Sequence, residues 1–373
     1  GDSTSQFNDA TTNSNIIQAL QSDGFQVGSN TLANGSGLTY HFVAFQGAQE
    51  LTSSSTFYMA TGSYTGSGLG QSITGVGFAP DLVIIKHTDQ ATDQDAVFRT
   101  SLMAGDVTFP MGSAANYFNG GITSINSDGF TVGTSATVDT SGDTYHWQAF
   151  GNAFRPDTGS GAADFAIGAY IGSSGDNRDV TRVPFQPDFV MTKASTTTNL
   201  VFRTSNMSGD LSGYTVNAAE NTNEIQVLNS DGFQLGNRNV NTYLIVYNWV
   251  AFKSGANFAV GSYTGTGSAQ NVTGLSFQPE LVWAKRTSTG ATGVFRPNTI
   301  SGDGSQYFTA TANTTDRITG FLTTGFSIGG NQTETNTSAS IYRYVAWNSG
   351  AVVGDADHAA LGVGQQADGL GAS

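Results

Sequence analysis

Four copies of one sequence pattern run along the chain, and this internal repeat limits what the chain can fold into. Each copy has a Ser-Asp-Gly-Phe-like segment, followed about a dozen residues later by a Tyr-x-aromatic-x-Ala-aromatic segment. The first segments begin at Ser22, Ser127, Ser230 and Thr323. The second segments are YHFVAF from Tyr40, YHWQAF from Tyr145, YNWVAF from Tyr247 and YRYVAW from Tyr342. The repeat predicts a row of similar modules rather than one large domain.

A second pattern precedes three of these four copies. It begins with FYMATGSYTG at Phe57, FAIGAYIG at Phe165 and FAVGSYTG at Phe258, and it ends in Gly-Asp at Asp106, Asp210 and Asp303. Asp2 stands in register with these endings, so the chain contains three first halves and four second halves. The repeat therefore predicts three complete modules behind one half-module.

The half-module at the start predicts an incomplete sheet. It is explained either by proteolysis at a Gly-Asp junction or by a chain that simply starts there. An unpaired sheet edge is adhesive because its backbone donors and acceptors are free. We expect a neighbouring chain to cover the edge near Gly1, Asp2 and Phe7, in preference to a retained propeptide or the C-terminal tail, because the tail has poor strand propensity.

The repeated segments have the pattern of short β-strands. Asp-Gly supplies the positive φ angles of a tight hairpin turn, and alternate residues of YHWQAF face opposite sides of a sheet. Strands at this spacing predict an all-β fold of tandem β-sandwich, jelly-roll-like modules of about 95–105 residues. A seven-bladed propeller is the alternative, but the two halves of each unit do not resemble one another. The predicted domains are a half-module at 1–50, complete modules at 56–152, 163–254 and 257–350, and a Gly/Ala-rich tail at 351–373.

The charge and composition of the chain narrow the classes of function. With 14 Lys and Arg against a net charge of −14, the chain has little to neutralise phosphates, so we expect no nucleic-acid partner. No segment has the run of about 20 apolar residues that a membrane-spanning helix needs. Only 11% of residues are charged, and Gly, Thr and Asn are abundant. This composition is typical of extracellular and virion proteins, and we expect one of these locations.

Charged residues recur at fixed places in the repeat, and we interpret them as structural ion pairs. A catalytic role would pair a carboxylate with a cation for acid–base work, but an active site rarely recurs in every module. We therefore expect Arg–Asp pairs to hold the strand ends. The residues are Lys86, Lys193 and Lys285, then Arg99, Arg203 and Arg296, and finally Asp106, Asp210 and Asp303.

One acidic loop is specific to a single repeat. Asp89, Asp93 and Asp95 could supply oxygen atoms to Ca²⁺, but their spacing matches no known calcium loop. A solvated acidic loop is the favoured interpretation, with Ca²⁺ as the one candidate cofactor. His146 occupies a repeated strand position and is interpreted as an ordinary strand residue.

The repeated segments resemble β-repeats of tailed-phage virion proteins, often tail-fibre or tail-associated proteins and notably those of marine phages. The matching stretches run from Tyr64 to Lys86, from Tyr170 to Lys193 and from Tyr263 to Lys285, together with the four SDGF-like half-units. These motifs are turns and strands, so the resemblance implies a fold and a structural role and carries no catalytic residues.

We therefore predict a non-enzymatic structural protein of an extracellular assembly, such as a virion, tail fibre or surface filament, whose partners are copies of itself. The alternative is a carbohydrate-binding adhesin or receptor-binding protein with a host-surface glycan as partner, because exposed Tyr and Trp beside Asn and Asp suit sugar stacking. An enzyme acting on polysaccharide is a third hypothesis, since paired carboxylates can meet in space without a sequence motif.

Overall fold

The computed structural model describes residues 3–6, 9–14, 17–21, 24–34, 36, 56–87, 94–156 and 159–349. These residues form 28 β-strands and two helices of four residues each. The chain divides into two compact units, residues 1–52 and 53–373. The predicted all-β class with tandem β-sandwich modules is confirmed. Among the described helices, none is long and apolar enough to cross a membrane.

The first unit contains two antiparallel hairpins and a short helix. Its elements are β1 (Ser3–Gln6), β2 (Asp9–Ser14), β3 (Ile17–Gln21), β4 (Gly24–Val27) and α1 (Thr31–Asn34). Strand β1 pairs with β2, and β3 pairs with β4. The predicted assembly edge at Gly1, Asp2 and Phe7 lies outside the described residues, as does the tail at 351–373.

The second unit begins with a complete sandwich, called module A, in residues 56–152. Its elements are β5 (Tyr58–Thr65), β6 (Gln71–Thr74), β7 (Leu82–His87), β8 (Val97–Thr100), β9 (Phe109–Pro110), β10 (Ile122–Asn126), β11 (Gly129–Val132), α2 (Ala136–Asp139) and β12 (Thr144–Gly151). A five-stranded sheet has the order β5-β12-β7-β8-β9, and a three-stranded sheet has the order β10-β11-β6.

Two further modules repeat this plan. Module B, in residues 163–254, contains β13 (Phe165–Ile171), β14 (Arg178–Val180), β15 (Phe189–Ala194), β16 (Val201–Thr204), β17 (Gly213–Tyr214), β18 (Ile225–Asn229), β19 (Gly232–Leu235) and β20 (Val246–Phe252). Module C, in residues 257–349, contains β21 (Phe258–Thr264), β22 (Gln270–Thr273), β23 (Leu281–Arg286), β24 (Val294–Pro297), β25 (Gln306–Tyr307), β26 (Ile318–Leu322), β27 (Gly325–Ile328) and β28 (Ile341–Trp347). Each has one five-stranded and one three-stranded sheet in the order found in module A.

The two faces of each five-stranded sheet pack against different partners. In module A, Tyr145 and Trp147 join Phe130 and Val132 of the small sheet in a core private to the module. The opposite face of the same strands carries Phe150 into a core shared by all three modules. Strand β7 is consequently buried at every position, which explains its continuous apolar sequence.

The shared core joins the three modules into one body. Phe252 of module B has its ring centroid 5.4 Å from those of Phe57 and Phe150 of module A, 5.1 Å from Phe258 and 5.7 Å from Trp347 of module C. Edge-to-face and offset aromatic contacts of this kind stabilise a core beyond the area that they bury. Modules A, B and C therefore pack around one shared hydrophobic core and are not independent domains along the chain.

Candidate functional site

In every module an arginine holds the loop that follows its strand. The guanidinium of Arg99 on β8 donates to the carbonyl oxygens of Met103 at 2.9 Å, Gly105 at 2.5 Å and Val107 at 2.7 Å. Arg203 and Arg296 bind the corresponding carbonyls of modules B and C. Burial lowers the pKa of all three guanidinium groups. The planar fork of five donors suits this convergent set of carbonyls.

Two of the three carboxylates predicted to pair with these arginines bind backbone N–H groups. Asp106 accepts from the N–H of Gly120 at 2.8 Å, and Asp210 accepts from the N–H of Asn223 at 3.0 Å. The predicted Arg–Asp pairs, including Arg296 with Asp303, make no direct ion pair among the described residues. Each Asp nevertheless raises the pKa of its own arginine against the effect of burial. The Nη1 and Nη2 groups of each arginine bind the turn that follows its strand, whereas Nε has no hydrogen-bond partner. Asp106 and Asp210 hold the next loop of their modules.

The three repeated lysines each reach into a neighbouring module. Their ammonium groups donate to a carbonyl oxygen of the next module at 2.9–3.1 Å, and also to a carbonyl of their own module. The pairs between modules are Lys86 of A with Thr309 of C, Lys193 of B with Ser113 of A, and Lys285 of C with Ala218 of B. The contacts are cyclic and define three seams, called A–C, B–A and C–B.

Backbone hydrogen bonds support two of these seams, A–C and C–B. The N–H of Ala96 in module A donates to the carbonyl of Phe308 in module C at 2.8 Å, and the N–H of Gly293 in module C donates to that of Thr215 in module B at 2.8 Å. Burial lowers the pKa of Lys193 and of Lys285 to about 8. These lysines are structural cations that the fold keeps out of water.

One position on the last strand of each module varies with the seam that it faces. It is His146 in module A, Asn248 in B and Arg343 in C. At the A–C seam, Nδ1 of His146 lies 2.8 Å from Oγ1 of Thr299. At the C–B seam, Arg343 pairs with Glu220 at 2.8 Å and donates to the carbonyl of Asn206 at 2.8 Å.

Two buried glutamines, Gln148 of module A and Gln306 of module C, have unpaired amides. Gln148 and Gln306 are fully buried, and neither end of either amide has a hydrogen-bond partner. Gln148 lies on β12 between His146 and Phe150, and Gln306 shares the face of its cross-strand partner Phe295. A buried polar group without a partner costs about 1–3 kcal/mol.

The predicted calcium ligands are only partly described. Asp89 and Asp93 lie outside the described residues, whereas Asp95 is half-buried. The carboxylate of Asp95 raises the pKa of Lys193 against the effect of burial, so it acts across the B–A seam. Within the described part of the chain, no group of three or more His, Asp or Glu could hold a metal ion.

The Gly-rich loop after β5 directs its backbone N–H groups at a side-chain carboxylate of the same module. The N–H groups of Ser67 and Gly70 donate to the Asp139 carboxylate, each at 2.7 Å. Asn241 and Asn336 occupy this position in modules B and C and bind the equivalent loops. These loops are therefore held from within the module.

Module B differs from its neighbours in one surface loop. Tyr243 and Leu244 are 64% and 66% exposed, and Leu244 has a φ of +60°. Ile171 and Val246, cross-strand partners in the sheet below, are also exposed. The equivalent loop tips of modules A and C contain only small residues, although Leu69 of module A and Ile341 of module C are also exposed.

Sequence analysis missed the residues that receive the seam contacts, namely Thr299, Asn206 and Glu220. The signal was present, because Thr299 and Asn206 occupy the same position of the repeat and face the variable position on the last strand. The sequence does not reveal that the modules pack around a shared core. That packing is what places the variable position of one module against a residue of another module.

Comparison with known proteins adds a family but no activity. No curated protein matches the chain. A family model described as a domain of unknown function, DUF7483, matches residues 53–163 and 253–360. The two matches cover modules A and C and more than half of the 373 residues. The chain therefore belongs to the DUF7483 family.

Proposed function

We propose that this protein is a non-enzymatic structural component of an extracellular assembly, such as a virion tail fibre or a surface filament, and that it associates with copies of itself. The observation that carries the proposal is the use of the repeated charged residues. Lys86, Lys193 and Lys285 all donate to carbonyl groups of a neighbouring module. A structural subunit needs residues that hold its modules together, and these lysines do so in every module.

The shared core supports the same proposal. Aromatic side chains from the three modules contact one another at centroid distances of 5–6 Å, so the modules are held as a unit. A rigid block with several sandwiches offers many edges and loops for attachment to other subunits. The first unit, with its separate hairpins, supplies a further candidate attachment element.

The test is electron microscopy of the purified native protein together with its intact mass. Filaments, or arrays on a particle, at the mass of the chain support the proposal. Monodisperse single chains at all accessible concentrations, measured by light scattering, contradict it.

A carbohydrate-binding role is the second candidate, and the loops of module B favour it. Tyr243 is exposed beside Ser174, whose side chain accepts from the Tyr243 N–H at 3.1 Å, and the neighbouring loop contains Asp176 and Asn177. An exposed aromatic ring among hydroxyl, amide and carboxylate groups suits the apolar face of a sugar and its hydroxyls. Glycan-array binding that is lost in Tyr243→Ser and kept in Tyr117→Ser would support this role. Equal loss in both variants, or no binding by the native protein, would count against it.

A further inference from the structure

Strand β13 of module B is covered on its outer edge by a segment of the chain itself. In that segment, which follows β12, Phe154 is a parallel bridge partner of Ala166. The N–H of Phe154 donates to the carbonyl of Phe165 at 2.7 Å, and its carbonyl accepts from the N–H of Ile167 at 3.1 Å. The side chain of Phe154 packs against the private core of module B. This sheet edge therefore accepts an extended segment with an aromatic side chain.

The equivalent strand of module C, β21, has no such cover among the described residues. It lies at one end of its five-stranded sheet. Residues 253–257 alone separate β20 from β21, whereas residues 152–164 separate β12 from β13. The shorter segment turns at Gly255, whose N–H donates to the carbonyl of Phe258 at 3.0 Å, and it then enters β21. It is too short to run along the edge as the longer segment does.

The backbone of β21 consequently has groups that the described residues leave unpaired. The N–H of Asn348 donates to the carbonyl of Asn257 at 2.9 Å, which fixes the alternation of bonds between β21 and β28. In that alternation, the N–H and C=O groups of Val260 and Ser262 point away from β28. No described backbone group outside the sheet bonds to them. An open edge of this kind binds extended polypeptide by strand addition.

Side chains beside this edge are less buried than their counterparts in module B. Ala166 and Ile167 of module B are both fully buried. The equivalent residues of module C, Ala259 and Val260, are only half-buried. A Cβ atom built on Gly255 would meet no other atom within 4 Å. The place that an aromatic ring fills in module B is therefore open in module C.

A carboxylate at the same junction lacks the cation that its counterpart has. Between modules A and B, the residue after the covering phenylalanine is Arg155, which binds the carboxylate of Asp81 and the hydroxyl of Ser101. Asp188 and Ser205 occupy the equivalent positions in module B, next to module C. Within the described part of the chain, Asp188 makes no ion pair. The junction between modules B and C can therefore take a guanidinium group from outside.

We propose that the outer edge of β21 binds an extended segment of a partner protein in which an aromatic residue is directly followed by arginine. The segment pairs its backbone with Val260 and Ser262, packs its ring beside Ala259 and directs its guanidinium group at Asp188. A separate protein supplies it because the chain's own segment at this junction is too short to reach along the edge. This site goes beyond the proposed self-association and does not depend on it.

The probe is a capped, fluorescein-labelled peptide, Ala-Phe-Arg-Thr-Val-Thr. Its first three residues are those that cover module B, and its last three favour an extended strand. Fluorescence anisotropy with the full chain at pH 7 measures its affinity. We expect saturable binding that becomes about tenfold weaker when the Phe or the Arg of the peptide is replaced by Ser. Asp188→Asn should remove most of the advantage of the arginine peptide over its serine counterpart.

Two variants close the edge in different ways. Ser262→Pro removes an N–H that the bonds to β28 do not use, so the sheet is kept and the outer pairing is lost. Gly255→Phe/Ala256→Arg supplies the ring and the guanidinium group from the chain itself, and it should also raise the midpoint of thermal unfolding. Both should weaken peptide binding about tenfold or more. Ala169→Pro, at the position of Ser262 in the covered strand β13, is the matched control and should leave binding unchanged.

The outcomes separate the possible occupants of the edge. No saturable binding by the wild type, or binding that both edge variants leave unchanged, would overturn the proposal. Binding that appears only after removal of residues 351–373 would assign the edge to the chain's own tail. Self-association of the wild type that the peptide inhibits would assign it to a second copy. Either of these two results overturns the separate partner. The proposed function has its own test by electron microscopy, so the two can fail independently.

Discussion

Oδ2 of Asp139 accepts the backbone N–H of Gly70 at 2.7 Å, and Gly70 presents that N–H from a backbone with φ of +76°. In module C the equivalent peptide group has the opposite orientation, so that its carbonyl oxygen and not its N–H faces the side chain. There the amide of Asn336 donates to the carbonyl of Ser268 at 2.6 Å. A carboxylate only accepts hydrogen bonds, whereas an amide also donates. Loop conformation and side-chain chemistry are therefore matched within each module.

The first prediction is that Asp139→Asn destabilises the protein by about 1–2 kcal/mol at pH 7, because the new amide would place a donor against the N–H of Gly70 or Ser67. Burial opposes ionisation of Asp139, but hydrogen bonds from Ser67, Gly70 and Gln71 prevail and lower its pKa. A lowered pKa gives stability above the unfolded value of 3.8 that is lost as the pH falls. The gap between wild type and variant in urea unfolding should therefore narrow from pH 7 to pH 3.

The double variant Asp139→Asn/Gly70→Ala sharpens this prediction. Alanine disfavours the positive φ of Gly70 and thereby favours the peptide orientation of module C, which suits an amide at position 139. We expect the double variant to lose less stability than the sum of its two single variants. Strict additivity of the two losses would contradict the proposed match.

The second prediction separates the carbonyl-binding role of Arg99 from the ion pair that the sequence suggested. Arg99→Lys should cost about 2–3 kcal/mol, because a single ammonium cannot bind three carbonyls in different directions. Asp106→Asn should cost below about 1 kcal/mol, because an amide oxygen can still accept from the N–H of Gly120. The measurement is the free energy of unfolding of each variant at pH 7. Equal losses in the two variants would restore the ion-pair interpretation.

The third prediction concerns the stacked tyrosines at the loop end of each module. Tyr145 has its ring centroid 5.2 Å from that of Tyr64, and its hydroxyl accepts from the N–H of Thr140 and donates to the carbonyl of Ala136, each at 2.8 Å. Tyr145→Phe leaves both backbone groups unpaired and should cost about 1–3 kcal/mol. Tyr247→Phe and Tyr342→Phe are matched controls, since their hydroxyls make the same two bonds in modules B and C. A loss in only one of the three variants, by thermal unfolding, would show that the role is not a repeated one.

The sequence was sufficient to predict the strands and turns, because these depend on residues close together in the chain. Alternation in YHWQAF placed Tyr145 and Trp147 on one face, and both lie in the private core of module A. The contacts between modules at the seams could not be predicted from the sequence. His146 and Thr299 are brought together only by the packing of three modules around one centre, and carbonyl acceptors such as those of Arg99 leave no mark in the sequence.

The fourth prediction is that Asp164→Asn stabilises the protein in alkaline solution. Oδ1 of Asp164, near the start of module B, accepts from the N–H of Phe57, near the start of module A, at 2.9 Å. Burial raises the pKa of this carboxyl to about 7, against the opposing effect of that hydrogen bond. Because the folded pKa lies above the unfolded value of 3.8, the protonated group favours the fold at low pH, and this contribution is lost as the pH rises through 7.

An amide at position 164 keeps the acceptor for Phe57 and cannot ionise. Relative to the wild type, Asp164→Asn should be nearly neutral at pH 4 and more stable at pH 8, by about 1–2 kcal/mol after allowance for the part of the side chain that water reaches. Asp188→Asn is the matched control, because Asp188 likewise accepts a backbone N–H, that of Ser254 at 2.8 Å, so that any general effect of an amide at such a site is measured beside it. Thermal unfolding of both variants across this pH range provides the measurement, and a gain for Asp164→Asn that does not grow with pH would refute the buried-carboxyl account.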